Sequence, residues 1–506
     1  MNPNAKIPKG MSFEDNSYTR LLKENLNIQV VYDWTASTSD YDEKMSLCIG
    51  SNTIPEIMNV NATQYRALLK YDMIQPLDKY FDDYASDALK SYVKSGGEEL
   101  QKCITNEDGE LMAIPAPNLT AGGVNEMWIR QDWLDALGLD VPRTWDELAE
   151  VAKAFVTRDP DGNGENDTIG ILGPGNSDHM NAVGGNQFGL DPLFSCFQSY
   201  PQYWLKSEDG SVEYGSIQPE TKTALENISK LYADGVIDPE TLVRSDSKEP
   251  LLAGKVGIFF GPWWCAYTFA DTTLSGSADW WAYFTPLSED GKYYTHMAEP
   301  TTQYVVASKD CKNPEAAFKI INYLVANEQK WVEEGVTSTE MGTGDFYPLY
   351  NTYDNADEIE KSYEALTKYL AGDISMDDVD FSTHKLLKND MEAVTKLKKK
   401  PYDDFSLKYW NLDSDLAKTN LPRLVAIMVG DAPLVNEEYV PVYNAYNGQT
   451  ETMEAKWANL KKMEEETFAK IIMGKADISE FDTFVKNWKN QGGDQILKEI
   501  NDELSK

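Results

Sequence analysis

Short apolar runs alternate with amphipathic helical repeats along most of this chain. "NIQVVYDW" (Asn27 to Trp34), "PEIMNV" (Pro55 to Val60), "KVGIFFG" (Lys255 to Gly261) and "TQYVVAS" (Thr302 to Ser308) are short, rich in β-branched or aromatic residues, and bounded by turn formers. That pattern predicts strands. Between them, "TWDELAEVAKAFVTR" opens on Thr144 and Glu147, spaced for a capping box, and puts Leu148, Val151, Ala152 and Phe155 on one helical face. "NPEAAFKIINYL" begins with Asn313 as cap and Pro314 at the first helical position. "ISEFDTFVKNWKNQGG" has Ser479 as cap, a stripe of Phe481, Phe484, Val485 and Trp488, and Gly492 at its end. Strands alternating with helices predict an α/β architecture with largely parallel sheets. After about Asn313 the pattern is mainly helical, and 506 residues hold two to four packed cores.

Composition narrows the class. The net charge is -37, from 83 acidic and 46 basic residues, and the densest basic run is "KLKKKP" (Lys396 to Pro401). A nucleic-acid ligand needs a basic face, and no Lys/Arg cluster of that size appears, so nucleic acid is not expected as a partner and an anionic membrane surface is disfavoured. The apolar run Val256 to Ala270 has 15 uncharged residues, interrupted by Gly and Pro; a membrane span needs about 20. The five cysteines (Cys48, Cys103, Cys196, Cys265, Cys311) are widely spaced and form no CxxC, so they read as buried small hydrophobes. "MNPNAKIPKG" contains no apolar signal-peptide core, which fits a cytosolic start or a trimmed mature chain.

One stretch carries candidate metal chemistry. In "DPDGNGENDTIG", Asp159, Asp161, Asn163, Glu165 and Asp167 occupy positions 1, 3, 5, 7 and 9 of an EF-hand loop, with Gly164 at position 6. Position 12, a bidentate Glu in an EF-hand, is Gly170, and "TIGIL" beyond it reads as a strand. The competing reading is a string of Asp-Pro, Asp-Gly and Asn-Gly turns. Four like charges within nine residues repel unless a cation sits among them, so the expectation is a structural calcium ion that locks a helix-to-strand turn.

No P-loop, GxGxxG, GxSxG or HExxH occurs, and His179, His296 and His384 are far apart, so catalytic residues are expected to be none. Aromatic content is high, at 11% with 13 Trp and 28 Tyr. Trp34 closes the first predicted strand, and Trp263 and Trp264 follow another. Ligands of open α/β folds sit beyond strand ends, where flat aromatic faces suit the C–H faces of sugars. The candidate ligand-binding set is Trp34, Asn61, Asn118, Trp263, Trp264, Glu299 and Trp410, with Arg66 and Arg130 as the cationic groups an acidic sugar would use.

"MWIRQDWLDALGLDVPRTWDELAEVAKAFVTRDPDGNGENDTIGI" (Met127 to Ile171) resembles the long family 1 extracellular solute-binding proteins, the sugar-binding lipoproteins of bacterial ABC importers. "SIQPETKTALENISKLYADGVID", "LLAGKVGIFFGPWW", "EPTTQYVVASKDCKNPEAAFKIINYL" and "FAKIIMGKADISEFDTFVKNWKNQGGDQILKEIN" fit the same pattern, so the resemblance spans nearly the whole chain. It implies a two-lobe, hinged, periplasmic-binding-protein-like fold of type II with a helix-rich C-terminal part. The expected lobes are 1–117 with 301–350, and 118–300 with 351–506, the second carrying the calcium loop 159–168. "IPAPN" (Ile114 to Asn118) and "HMAEPTTQ" (His296 to Gln303) would be the crossovers, and ligand would close the molecule. The resemblance further implies an oligosaccharide ligand, ABC permease subunits as partners, a monomer, and an extracellular chain anchored by lipid at the cell surface. Calcium-bearing relatives that bind alginate oligosaccharides would map their metal ligands onto Asp159, Asp161, Asn163, the carbonyl of Glu165, and Asp167. They add an acidic ligand after the last Asp, where this chain has Thr168. A carbohydrate-active hydrolase or lyase, and a binder of peptide or another solute, are the alternative readings.

Overall fold

A computed structural model describes residues 9–175, 186–333, 346–381, 384, 386–397 and 414–505. The chain divides into two compact units. The first comprises Met1–Leu119, Pro300–Asp357 and Phe381–Lys385, and the second Thr120–Glu299, Glu358–Asp380 and Leu386–Lys506.

The first unit is built on a three-stranded sheet with Tyr304–Ala307 between Ile57–Val60 and Ile114–Pro115. The central strand is buried throughout, and helices carry the rest of the core around it. The helix Ser17–Leu26 shows how local chemistry sets these boundaries. Asn16 accepts hydrogen bonds from the N–H groups of Tyr18 and Thr19, and Asn27 ends the helix in the left-handed region at φ 55. Its Tyr18 and Leu22 are fully buried. Tyr65, on the helix Ala62–Lys70, stacks on Tyr304 with centroids 4.5 Å apart, which ties helix to sheet.

The second unit has a four-stranded sheet in the order Ile169–Ile171, Val256–Gly261, Glu126–Arg130, Trp280–Tyr283. Every residue of Val256–Gly261 and Glu126–Arg130 is buried, so both faces of the central strands are covered. One cover is the helix Trp145–Thr157, whose capping box at Thr144 and Glu147 forms and whose Leu148, Val151, Ala152 and Phe155 are buried. Another is the C-terminal set Glu451–Ile472, Glu480–Trp488 and Asp494–Leu504. Trp488 of this set stacks on Tyr214 at 4.8 Å, and Gly492, at φ 137, makes the kink between its last two helices.

Two expectations change. Among the described residues most strand pairings are antiparallel; Ile169–Ile171 with Val256–Gly261 and Tyr439–Val442 with Tyr293–His296 run parallel. The antiparallel pairs join segments far apart in sequence, so no strand–helix–strand crossover fixes their direction. Residues 27–34 also form no assigned strand. Ile28, Val30 and Trp34 pack on the core, alternating with exposed neighbours, but they join no ladder. The alternation recorded burial of one face, which an extended segment achieves without pairing. Among the described residues no helix is long and apolar enough to cross a membrane.

Candidate functional site

The acidic loop begins where the helix Trp145–Thr157 ends. Asp159, Gly162 and Gly164 take positive φ values of 46, 67 and 80, which curl the backbone back on itself. One Asp159 carboxylate oxygen accepts from the Asn163 N–H at 3.1 Å and the other from the Gly164 N–H at 3.1 Å. Asp161 accepts from the Asn163 side-chain amide at 2.9 Å, and Asp167 from the same amide at 3.3 Å. Three carboxylates therefore gather around one asparagine. Desolvation, with the charges of Asp159 and Asp167 adding to it, raises the Asp161 carboxyl above its ordinary range. Asp167 is shifted down, chiefly by Lys255, whose Nζ lies 2.8 Å away.

The missing position 12 has a steric reason. A Cβ on Gly170 would lie 2.6 Å from the Val236 carbonyl oxygen and 2.7 Å from that of Ala152. The fold spends this position on packing a strand against a helix, so no bidentate Glu fits there. Thr168, which stands where an acidic ligand was expected, is buried and donates to the Phe155 carbonyl at 2.7 Å. The residue types, three Asp with Asn163, suit a hard cation, and the Asn163 amide and the Lys255 amine supply the positive ends that meet these carboxylates. Among the described residues no three acidic, His or Cys side chains are arranged to hold a metal ion.

The aromatic candidates fall in different surroundings. Trp34 is half-buried, contacts Tyr41 with centroids 5.3 Å apart, and lines a cavity of about 260 Å³ with Ser12, Phe13, Glu14, Tyr32 and Thr35. Its indole N–H finds no partner. Asn61 caps the helix Ala62–Lys70, accepting from Gln64 N–H at 2.9 Å and donating to Asp42 at 3.1 Å. Asn118 is half-buried and donates its backbone N–H to Pro300 at 2.8 Å.

In the second unit, Pro262 directs the chain out of Val256–Gly261 into the tight turn Trp263–Tyr267. Trp263 is only 6% exposed and points inward, whereas Trp264 is half-buried. Glu299 is half-buried, and its charge reaches the Tyr203 hydroxyl. Trp410 and His179 lie outside the described residues. Arg130 is committed elsewhere. Its guanidinium donates to Asp132 at 2.8 and 2.6 Å, to Gly254 at 3.2 Å and to Ser277 at 3.0 Å, and stacks 4.5 Å from the Trp133 ring centroid. It is a structural cation, while Arg66 keeps a buried guanidinium nitrogen without a partner.

Sequence reasoning missed two buried polar groups. His296 and Asp191 lie 3.8 Å apart in the interior between Tyr200 and Tyr203. Burial pushes Asp191 up to about 8 and His296 down to about 3. Glu126 and Asp431 are both fully buried, and none of their carboxylate oxygens has a hydrogen-bond partner. The latter showed in sequence only as an acidic residue opening the mostly apolar "EMWIR" and another within "MVGDAP".

The profile of the bacterial extracellular solute-binding proteins matches residues 6–331. The fructooligosaccharide ABC transporter substrate-binding protein FusA of Streptococcus pneumoniae serotype 4 is 30% identical over 48% of this chain and 45% of its own. The chain thus aligns with about half the length of that relative. The polygalacturonan/rhamnogalacturonan-binding protein YtcQ of Bacillus subtilis is 24% identical over 90% of this chain and 82% of its own. Among solved structures, an HMO-binding ABC-transporter-associated solute-binding protein of Bifidobacterium longum infantis has a TM-score of 0.60 at 18% identity, covering 98% and 96% of the two chains. FusA of S. pneumoniae, solved as an EF-hand mutant in complex with fructo-nystose, has a TM-score of 0.55 at 18% identity, covering 100% and 98%. These likenesses carry the α/β two-lobe fold, and the profile carries the family: the chain belongs to the bacterial extracellular solute-binding proteins.

Proposed function

We propose that this chain is the oligosaccharide-binding component of an ABC importer, extracellular and lipid-anchored at the cell surface, and that it captures its ligand without converting it. The observation that carries the reading is the family match over residues 6–331 together with relatives whose names describe oligosaccharide and polysaccharide binding. Trp34 and Trp264 are the aromatic faces best placed to stack on sugar, since each is half-buried. Asn61, Asn118 and Glu299 supply polar groups in our reading. Trp263 supports the turn from inside, and Trp410 completes the proposed set.

Calcium is the proposed structural ion. Asp159, Asp161, Asn163, the Glu165 carbonyl and Asp167 would hold it. The EF-hand-like spacing and the gathering of Asp159, Asp161 and Asp167 around Asn163 and Gly164 support this, and so does a similar structure described as an EF-hand mutant. When bound, the ion would supply the positive charge that these carboxylates lack. The chain's own part is to fix the turn between helix and strand.

Titration calorimetry against a panel of neutral and acidic oligosaccharides, with product analysis, tests the main reading. Binding without cleavage is expected. Trp34→Ala and Trp264→Ala should each weaken it by roughly 5- to 150-fold, the loss of about 1–3 kcal/mol expected for an aromatic platform. Cleaved products would make the protein an enzyme, and affinity only for peptides would give the fold another solute.

A further inference from the structure

The interior of the second unit holds a group of polar atoms that nothing in the fold satisfies. Glu126 starts the strand Glu126–Arg130, and Trp128, two residues on, shares its face. Opposite them lies the π-helical turn Ala426–Gly430, followed at once by Asp431. The approach is close. A Cβ on Gly430 would sit 2.8 Å from the Trp263 carbonyl oxygen and 2.9 Å from the Trp128 ring. Both oxygens of Glu126, both of Asp431, and the indole N–H groups of Trp128 and Trp263 are buried without a hydrogen-bond partner. An ionised carboxylate left in that state costs several kcal/mol by general expectation, so in such sites the charge is neutralised instead.

Arg423, on the helix Asp415–Val425 that runs into the π-helical turn, pairs with Asp390 at 2.9 Å and lies beside Tyr267, and among the described residues the charges that act on Glu126 and Asp431 are acidic. Glu126 feels the charges of Asp431 and Glu437; Glu360, on the helix Glu358–Ala371, faces Asp431. The other titratable neighbours are Cys265 in the turn Trp263–Tyr267, Tyr293, and Tyr439. Glu437 is paired with Arg143 at 2.6 Å, which leaves that guanidinium committed to it.

We propose that Glu126 and Asp431 hold at least one proton between them at neutral pH, and that this proton latches the π-helical turn Ala426–Gly430 onto the aromatic turn Trp263–Tyr267. Burial, with like charges adding to it, moves both carboxyls up from ordinary values of 4.5 and 3.8, Asp431 to about 9 and Glu126 well above its range. Folding therefore takes up protons between those ordinary values and the folded ones. The stability this supplies is full below about pH 4 and declines as pH rises, with the Asp431 share lost once pH passes about 9. The inference concerns the support beneath the turn that carries Trp263 and Trp264, and it stands whether or not a sugar binds there.

Urea unfolding between pH 5 and pH 9 tests it on the whole protein, as wild type, Glu126→Gln, Asp431→Asn and the double variant. The wild-type unfolding constant should rise relative to the double variant by up to tenfold per pH unit for each proton held. Parallel pH profiles would overturn the proposal. Should the variants not fold, amide exchange of residues 426–431 in the wild type gives the answer, after correction for intrinsic rates. Protection that falls from pH 6 to pH 9 supports the latch, and constant protection overturns it. If sodium chloride at pH 9 restores stability where choline chloride at equal ionic strength does not, a cation holds the site and the proton does not.

Discussion

Asp161 and Asp431 belong to the same compact unit, and each sits among other carboxylates, yet the fold treats them in opposite ways. Around Asp161 the loop 159–167 is open to water, and its own N–H groups and the Asn163 amide donate to the carboxylates. The fully buried Asp431 carboxylate has no hydrogen-bond partner among the described residues, and the charges it meets are those of Glu360 and Glu126. Solvation sets the difference. Exposed carboxylates stay charged and gather a counter-charge from outside, while buried ones without donors give up the charge by holding protons. The same residue type thus stands at the proposed cation site in one place and at the proposed proton site in the other.

The strongest way to break the comparison is to remove the buried site's roof. Trp128 is fully buried, stacks parallel to Phe259 with centroids 6.3 Å apart, meets Phe269 edge-on at 5.1 Å, and presses on Gly430. Trp128→Ala should cost about 3–5 kcal/mol in chemical denaturation, the range for truncating a large core aromatic. In chelator-treated protein Asp161→Ala should stay within about 0.5 kcal/mol of wild type, as surface changes do. Equal losses at the two positions would mean that exposure does not separate them.

The next effect concerns the loop's counter-charge. Adding calcium to chelator-treated protein should raise the melting temperature, because the ion binds the folded loop and not the unfolded chain. At one hundred times its dissociation constant a ligand stabilises by about 2.7 kcal/mol. Asp161→Ala combined with Asp167→Ala should abolish that rise and leave the pH response of the Glu126–Asp431 region untouched. A wild type indifferent to calcium would return the loop to a plain acidic turn, held by Asn163 and Lys255.

These two regions also show what was legible beforehand. The loop's ligand spacing, the Thr144–Glu147 cap and the buried stripe of the helix before it are local, and periodicity exposes them directly. Gly170 could be seen to break the EF-hand pattern, but its reason could not, because Val236 and Ala152 come from other elements. Trp263 and Trp264 are neighbours in sequence with opposite fates, one inside and one half-buried, and the tight turn Trp263–Tyr267 that separates them has no periodic signature. Glu126 and Asp431 were invisible as a pair for the same reason. A single acidic residue at a strand end reads as a solvated boundary, and only tertiary packing brings a second one to it. Strand direction escaped likewise, since segments distant in the chain meet in both sheets.

The smallest predicted effect sharpens the comparison most. Lys255 is the one lysine within ion-pair distance of a loop carboxylate among the described residues, and its amine meets Asp167 at 2.8 Å on an exposed surface. Exposed pairs of this kind contribute little to stability, because water screens the attraction and two side chains must be held in place. Lys255→Met should therefore leave the melting temperature of the chelated protein nearly unchanged. Its consequence lies elsewhere. Lys255 draws the Asp167 carboxyl to lower pKa by donating to it, and it occupies an oxygen that a cation would need. With the amine gone, Asp167 is free to turn to the ion, and calcium should bind more tightly in a titration followed by calorimetry at constant ionic strength. A lysine that merely screened repulsion within the loop would give a different outcome. The chelated variant would then unfold more easily, and calcium affinity would rise only by the amount that stability had dropped. A fall in calcium affinity would show that Lys255 orients Asp167 for the metal, and that the loop, like the buried pair, is shaped by the groups behind its carboxylates as much as by the solvent in front of them.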